Sequence, residues 1–228
     1  MGEIVSFRSN GGTSQGYLAL PATPNGSAVI VIQEWWGLVP HITEVADRFA
    51  AEGYVTLAPD LYHGVSTREP DEAGKLMMGL AMDQAAKDIA GAAAYLAERP
   101  EVTSGKVGTV GFCMGGSLAL WSATLSDHVV AAVGYYPPVP WERMSPQWSN
   151  YAGKAAQIHC SEGDGTSAAP GIQQAKAAIE GAGGKVTLFD YPGTEHAFFN
   201  DHRPEVYAPE ASEQAWNRTL EFFGATLS

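Results

Sequence analysis

Gly111-Phe112-Cys113-Met114-Gly115 sets one nucleophile between two glycines, each two residues away. This is the G-x-S-x-G spacing of a nucleophile elbow, with cysteine in the serine position. The spacing has a steric origin. A nucleophile on a tight strand-to-helix turn has a strained backbone, and the flanking glycines leave room for neighbouring chain to pass. The side chain is then thrust out at the carboxyl ends of the strands, where α/β sheets bind ligands. The helix that follows aims its dipole at the sulfur and favours thiolate, the nucleophilic form. The plainer reading is a glycine-rich turn around a buried structural cysteine.

Partners for Cys113 follow in the chain. Asp164 lies in His159-Cys160-Ser161-Glu162-Gly163-Asp164-Gly165, and His196 lies in Gly193-Thr194-Glu195-His196-Ala197-Phe198. Nucleophile, acid, base is the α/β-hydrolase order. In that arrangement His196 takes the proton of Cys113, while Asp164 fixes the imidazole tautomer and supports imidazolium. Taken alone, Asp164 also fits a turn or helix cap. Glu162 and Glu195 are rival acids. His41, His63, His128, His159 and His202 read as surface or core residues. Cys160 falls in an apolar run without an elbow and reads as a small buried side chain.

A second constellation is Gln33-Glu34-Trp35-Trp36-Gly37, which ends the apolar run Val29-Ile30-Val31-Ile32. A carboxylate at that edge is costly unless hydrogen-bonded or functional. The loop after this strand supplies the second oxyanion donor in many hydrolases, the first being the amide after the nucleophile. Those amides are Trp35 and Met114 here. The two indoles also fit as bulk capping the core, which leaves Glu34 unexplained.

The elements that must position these groups alternate along the chain. Ala28–Ile32, Tyr54–Ala58, Lys106–Phe112, Val129–Val133, Ala156–His159 and Val186–Phe189 read as strands, the first a run buried on both faces. Ile42, Val45, Ala46, Phe49 and Ala50 recur at helical spacing, and Gly53 ends that helix. Helices are also expected over Ala85–Leu96, from about Cys113, over Ala168–Gly181, and around Trp216, Leu220 and Phe223. Alternation of this kind implies an α/β fold with a mostly parallel sheet covered by helices on both faces. Short N-terminal strands, including Tyr17 to Leu20, form an antiparallel edge. Tyr62–Gly74 and Tyr136–Asn150 read as irregular, the length of functional loops.

The chain has 228 residues, 45% of them hydrophobic, which suits one globular domain spanning 1–228. A formal charge of -12 disfavours nucleic acid and anionic membranes as partners. Two cysteines build no disulfide framework, and no C-x-x-C spacing exists, so neither metal nor cofactor is predicted. Gly2 and Ser6 match a loose myristoylation pattern of the kind that recurs by accident. With no signal peptide and no spanning apolar run, the expectation is a soluble cytoplasmic protein.

The chain resembles the dienelactone hydrolase, or carboxymethylenebutenolidase-like, family. The matching pieces are Gln33 to Gly37, Ala58-Pro59-Asp60-Leu61-Tyr62, Gly108 to Gly116, Gly134-Tyr135-Tyr136, Asp164 and Gly193 to Phe198. The resemblance implies an α/β-hydrolase fold without a large cap domain and a Cys113–His196–Asp164 triad. It also implies that Glu34 contacts the resting thiol and takes its proton when substrate binds. One position departs from the family. Dienelactone-type members hold the substrate carboxylate with arginines, one of them four residues after the histidine, where this chain has Asn200. Arg68 is the available stand-in for a second arginine. Trp35, Trp36, Tyr62, Tyr136 and Phe198 suggest an apolar substrate face, although each also suits the core by type. The expected activity is cysteine-dependent hydrolysis of small esters or lactones. The alternatives are a thiol-redox protein using Cys113, and a catalytically silent binding protein on the same fold.

Overall fold

The computed structural model describes residues 2–139 and 141–228. Met1, which precedes the Gly2/Ser6 pattern, and Pro140, within the Tyr136–Asn150 stretch, lie outside them. Eight strands form one sheet in the order β1-β2-β4-β3-β5-β6-β7-β8. They are β1 (Glu3–Ser9), β2 (Gly12–Ala19), β3 (Ala28–Ile32), β4 (Val55–Pro59), β5 (Val107–Phe112), β6 (Val129–Tyr135), β7 (Ala155–Ser161) and β8 (Lys185–Tyr191). Strands β1 and β2 pair antiparallel, as does β2 with β4, so the expected antiparallel edge is present. From β4 to β8 all pairing is parallel.

Helices α1 (Pro40–Ala51) and α6 (Pro209–Leu227) cover one face. Helices α3 (Met82–Ala97), α4 (Met114–Leu125) and α5 (Pro170–Gly181) pack on the other. The period of two along β3 decides which residue meets which layer. Ala28, Ile30 and Ile32 join the α3/α4 side, and Val29 and Val31 join the α1/α6 side. All five are fully buried, and each of the four valine and isoleucine side chains stabilises the fold by about 2 kcal/mol.

Helix α2 (Pro70–Gly79) is a correction, because the stretch from Tyr62 to Gly74 read as irregular. Pro70 sits in its first turn, where a missing amide costs nothing, and Asp71 and Glu72 complement the dipole there. Ala73 is buried, and Leu76, Met77 and Leu80 continue its stripe at i+3, i+4 and i+7 against the core, a helical period passed over in the sequence. The 3-10 turn Trp148–Tyr151 is similarly short. No helix among the described residues is long and apolar enough to cross a membrane.

The order of strands positions the site. The chain runs from β3 outward to β4, then returns to build β5 on the other side of β3. Ligand sites lie at such switch points, beyond the carboxyl ends of the strands. Ile32 and Gly111 are register partners there, which brings the residues after β3 and β5 together.

Candidate active site

Cys113 directly follows β5 and caps α4. Its backbone is at φ 53° and ψ -122°, a left-handed conformation that costs a non-glycine residue about 1–3 kcal/mol. The glycine spacing explains why the turn is possible. A Cβ at Gly115 would lie 2.3 Å from the Gln33 carbonyl oxygen and 2.5 Å from that of Ile32, and one at Gly111 would lie 2.0 Å from the Gly115 carbonyl oxygen. The Cys113 amide donates to the Tyr135 carbonyl at 3.0 Å, and its own carbonyl accepts from Gly116 at 2.8 Å. The thiol stays partly exposed, whereas Cys160 is buried in β7 as expected.

Asp164 and His196 leave the ends of β7 and β8 and meet at 2.8 Å through Oδ2 and Nδ1. The Ser161 hydroxyl donates to the same carboxylate oxygen. Burial acts against the Asp164 charge, but these two hydrogen bonds outweigh it and hold the acid below its ordinary range. Burial likewise opposes charge on His196. The hydrogen bonds to Asp164 and Cys113 and the charges on both prevail, and push the imidazole up to about 10. The rival acids are engaged otherwise. Glu162 accepts from the Gly193 amide at 2.6 Å, and Glu195 packs against Gly163.

Glu34, two residues beyond β3, is 1% exposed. Asn200 donates from Nδ2 to its Oε2 at 2.8 Å. Desolvation raises the carboxyl to about 7, against the opposing pull of Asn200, His196 and Arg203. The Gly37 amide returns to the Glu34 carbonyl at 3.3 Å and closes a tight turn. Gly37 has φ +94°, and a Cβ there would meet the Val65 carbonyl oxygen at 2.7 Å. Within this turn, among the described residues, the Trp35 amide makes no backbone hydrogen bond, and neither does the Met114 amide that starts α4. Two unpaired donors at adjacent strand ends are the raw material of an oxyanion hole.

The expected aromatic face divides. Trp35 and Trp36 are half-buried and pack edge to face at 4.9 Å. The Tyr62 hydroxyl reaches Met114 Sδ at 3.5 Å. Tyr136 packs its ring 5.0 Å from that of His196, and its hydroxyl is buried without a hydrogen-bond partner among the described residues. Phe198 does not belong to this face, which is a correction. It is fully buried between Tyr136 at 5.5 Å and Tyr191 at 4.9 Å, on the α1/α6 side of the sheet. Its ring takes the core role that residue type also allowed.

Two cavities flank these residues. A small one of about 170 Å³ touches Tyr136, Cys160, Asp164, Ile172 and His196. A larger one of about 440 Å³ is lined by Trp36, Arg68, Asn200, His202 and Arg203, among others. It adjoins the centre through Asn200 and so through Glu34. Arg68 lines this larger cavity, whose lining includes none of Cys113, Asp164, His196 or Glu34. Arg203 carries no motif and was not foreseen, and the same holds for the support that Ser161 gives Asp164.

A mostly parallel sheet with Cys113 on a glycine-flanked turn after β5, and a hydrogen-bonded Asp164–His196 pair after β7 and β8, is the α/β-hydrolase fold. The solved structures that superpose on it agree. The structure named m3DLH matches with a TM-score of 0.85 at 20% identity over 100% of this chain and 99% of that one. A dienelactone hydrolase-like promiscuous phosphotriesterase from metagenomic libraries gives 0.81 at 18% identity over 99% and 98%. In sequence, a curated relative from Aquifex aeolicus (strain VF5), provisionally named a carboxymethylenebutenolidase, is 33% identical over 100% of both chains. Protein usf of Aquifex pyrophilus is 36% identical, again over 100% of both chains. The profile of the Dienelactone hydrolase family matches residues 14–227. The chain belongs to the dienelactone hydrolase family.

Proposed function

We propose that this protein is a cysteine-dependent hydrolase of small esters or lactones that works through an acyl-enzyme. The observation that carries the reading is Cys113 at φ 53° on a glycine-flanked turn, beside the 2.8 Å His196–Asp164 pair. Glu34 takes the thiol proton on substrate binding, a transfer that suits a carboxyl poised near neutral pH. The thiolate pairs with His196 and attacks the acyl carbon. The C–S bond forms while the carbonyl electrons move to an oxygen held by the Trp35 and Met114 amides. Collapse breaks the ester C–O bond, and His196 gives its proton to the departing alkoxide. Neutral His196 then takes a proton from water, which attacks the thioester and expels the thiolate, and Glu34 returns its proton to the sulfur to restore the resting state. Asp164 keeps the imidazole in the right tautomer throughout.

Trp36, Tyr62 and Tyr136 form the apolar wall of the substrate site, and Arg68 is joined by Arg203 as a cation source. Substrates carrying a carboxylate distant from the scissile bond fit the larger cavity. The thiol-redox alternative lacks a resolving partner: burial pushes Cys160 up to about 12, which leaves it a poor nucleophile at neutral pH.

Paired aryl esters with and without a distal carboxylate test the reading. The acid-bearing member is expected to be preferred. Arg203→Ala and Arg68→Ala should each raise its KM by about 10- to 100-fold, the worth of a hydrogen bond to a charged group, while leaving the neutral ester unchanged. No hydrolysis of either member by the wild-type chain would remove the ester-hydrolase reading. Equal KM changes for both members would remove the carboxylate preference.

A further inference from the structure

At the large cavity, away from Cys113, three side chains of metal-ligand type converge. His41 stands in the first turn of α1, while Asp201 and His202 directly follow Asn200. One ligand atom from each lies within 4.8 Å of the other two. His41 Nδ1 is 3.2 Å from Asp201 Oδ1. The two imidazole rings are 5.6 Å apart and inclined at 60°. A tetrahedral ion with bonds near 2 Å spaces its ligand atoms by about 3.3 Å and the centres of two imidazole ligands by about 5 Å. The carboxylate–imidazole edge already has that length, and a small rotation of exposed His202 closes the rest.

We propose that His41, Asp201 and His202 bind a divalent transition-metal ion of the zinc type, with its remaining position open to the large cavity.

The donor set supports this reading, since two imidazoles and one carboxylate suit a borderline ion. The supporting groups are also in place. Glu44 Oε2 lies 2.9 Å from His202 Nε2, a carboxylate–histidine contact of the kind that orients metal-binding imidazoles. His41 is 3% exposed and its Nε2 has no partner. Asp201 is therefore its one hydrogen-bond partner among the described residues. Phe112 at 5.9 Å and Phe199 at 6.3 Å hold the ring edge-on, so a ligand is fixed before any ion arrives. The nearby Arg48 guanidinium is stacked over Trp216 at 4.2 Å, and Arg203 Nε is bonded to Glu205 at 2.9 Å. Asp201 and Glu44 together balance a dication. No sequence pattern pointed here, because His41 and Asp201 are 160 positions apart. A bound ion would clamp the start of α1 to the turn carrying Asn200, the partner of Glu34.

The site stands independently of the catalytic reading, so its test reads binding rather than turnover. The full-length chain, stripped with a chelator, is titrated with Co²⁺ and then competed with Zn²⁺. The expected result is a saturable one-to-one complex of micromolar affinity, with d–d absorption and no thiolate-to-cobalt charge-transfer band. His202→Ala and Asp201→Ala, both at exposed positions, should weaken it at least about 10-fold. Zn²⁺ at about a hundredfold excess over Kd should raise the Tm by about 5 °C in the wild type and not in His202→Ala. Three results would each overturn the proposal: no saturable binding, undiminished affinity in both variants, or a thiolate band that puts the ion on Cys113.

Discussion

Alanine at position 113 is expected to lower kcat/KM for an aryl ester by about 10⁴-fold or more, because it removes the nucleophile while the rest of the constellation stays. The fold should survive, since the thiol fills a partly exposed position and its hydrogen-bond partner, His196, keeps its bond to Asp164. Steady-state hydrolysis with a denaturation curve for each variant checks both halves. His196→Ala should be nearly as damaging, because nucleophile and base act as a unit and their losses do not add. Cys160→Ala is the control. Its thiol is buried and, with its acidity suppressed by that burial, takes no part in the chemistry. Undiminished turnover in Cys113→Ala would remove the thiol from the mechanism.

The second large effect concerns Glu34, and it has opposite signs for stability and activity. Its folded-state pKa is raised from 4.5 to about 7 by burial. The folded state therefore binds this proton more tightly than the unfolded chain does. The associated stability is fully present below the unfolded value and is lost as pH rises through the folded one. At about pH 8 the ionised carboxylate costs the fold about 3 kcal/mol relative to about pH 4. Glu34→Gln is uncharged at both values and can still accept from Asn200. It should be more stable than the wild type by up to about 3 kcal/mol at the higher pH and equal to it at the lower. Its turnover should fall about 10²- to 10⁴-fold with the loss of a proton acceptor. Denaturant titration at the two pH values, with hydrolysis rates alongside, separates the effects. A variant no more stable than the wild type at about pH 8 would mean that the carboxylate is not held at a cost.

The legible parts of the molecule were those fixed by local sterics and strong periodicity. β3 and β5 are apolar runs that only a buried strand accommodates, and Gly111 and Gly115 stand where any Cβ would strike a carbonyl oxygen. The hydrolase order then placed Asp164 and His196 at neighbouring strand ends. The illegible parts depend on long-range placement. Helix α2 was missed because its stripe of Ala73, Leu76, Met77 and Leu80 begins inside a stretch rich in turn formers and is only partly buried. Phe198 took the core role rather than the substrate face, a choice that residue type alone leaves open. Arg203 approaches Glu34 only through the folding of the turn after His196. The partner of Glu34 shows the same limit. Asn200 marked a departure from the family's arginine in the chain, while in the fold it is the hydrogen-bond donor that holds the buried acid.

The central claim is an acyl group carried on Cys113. The most direct measurement is mass spectrometry of the protein, acid-quenched during turnover of a slowly released aryl ester and then digested. The account predicts one acyl mass, on the peptide containing Cys113, labile to hydroxylamine as a thioester. Steady turnover with no adduct, or an adduct on Cys160 or on a serine instead, would contradict it.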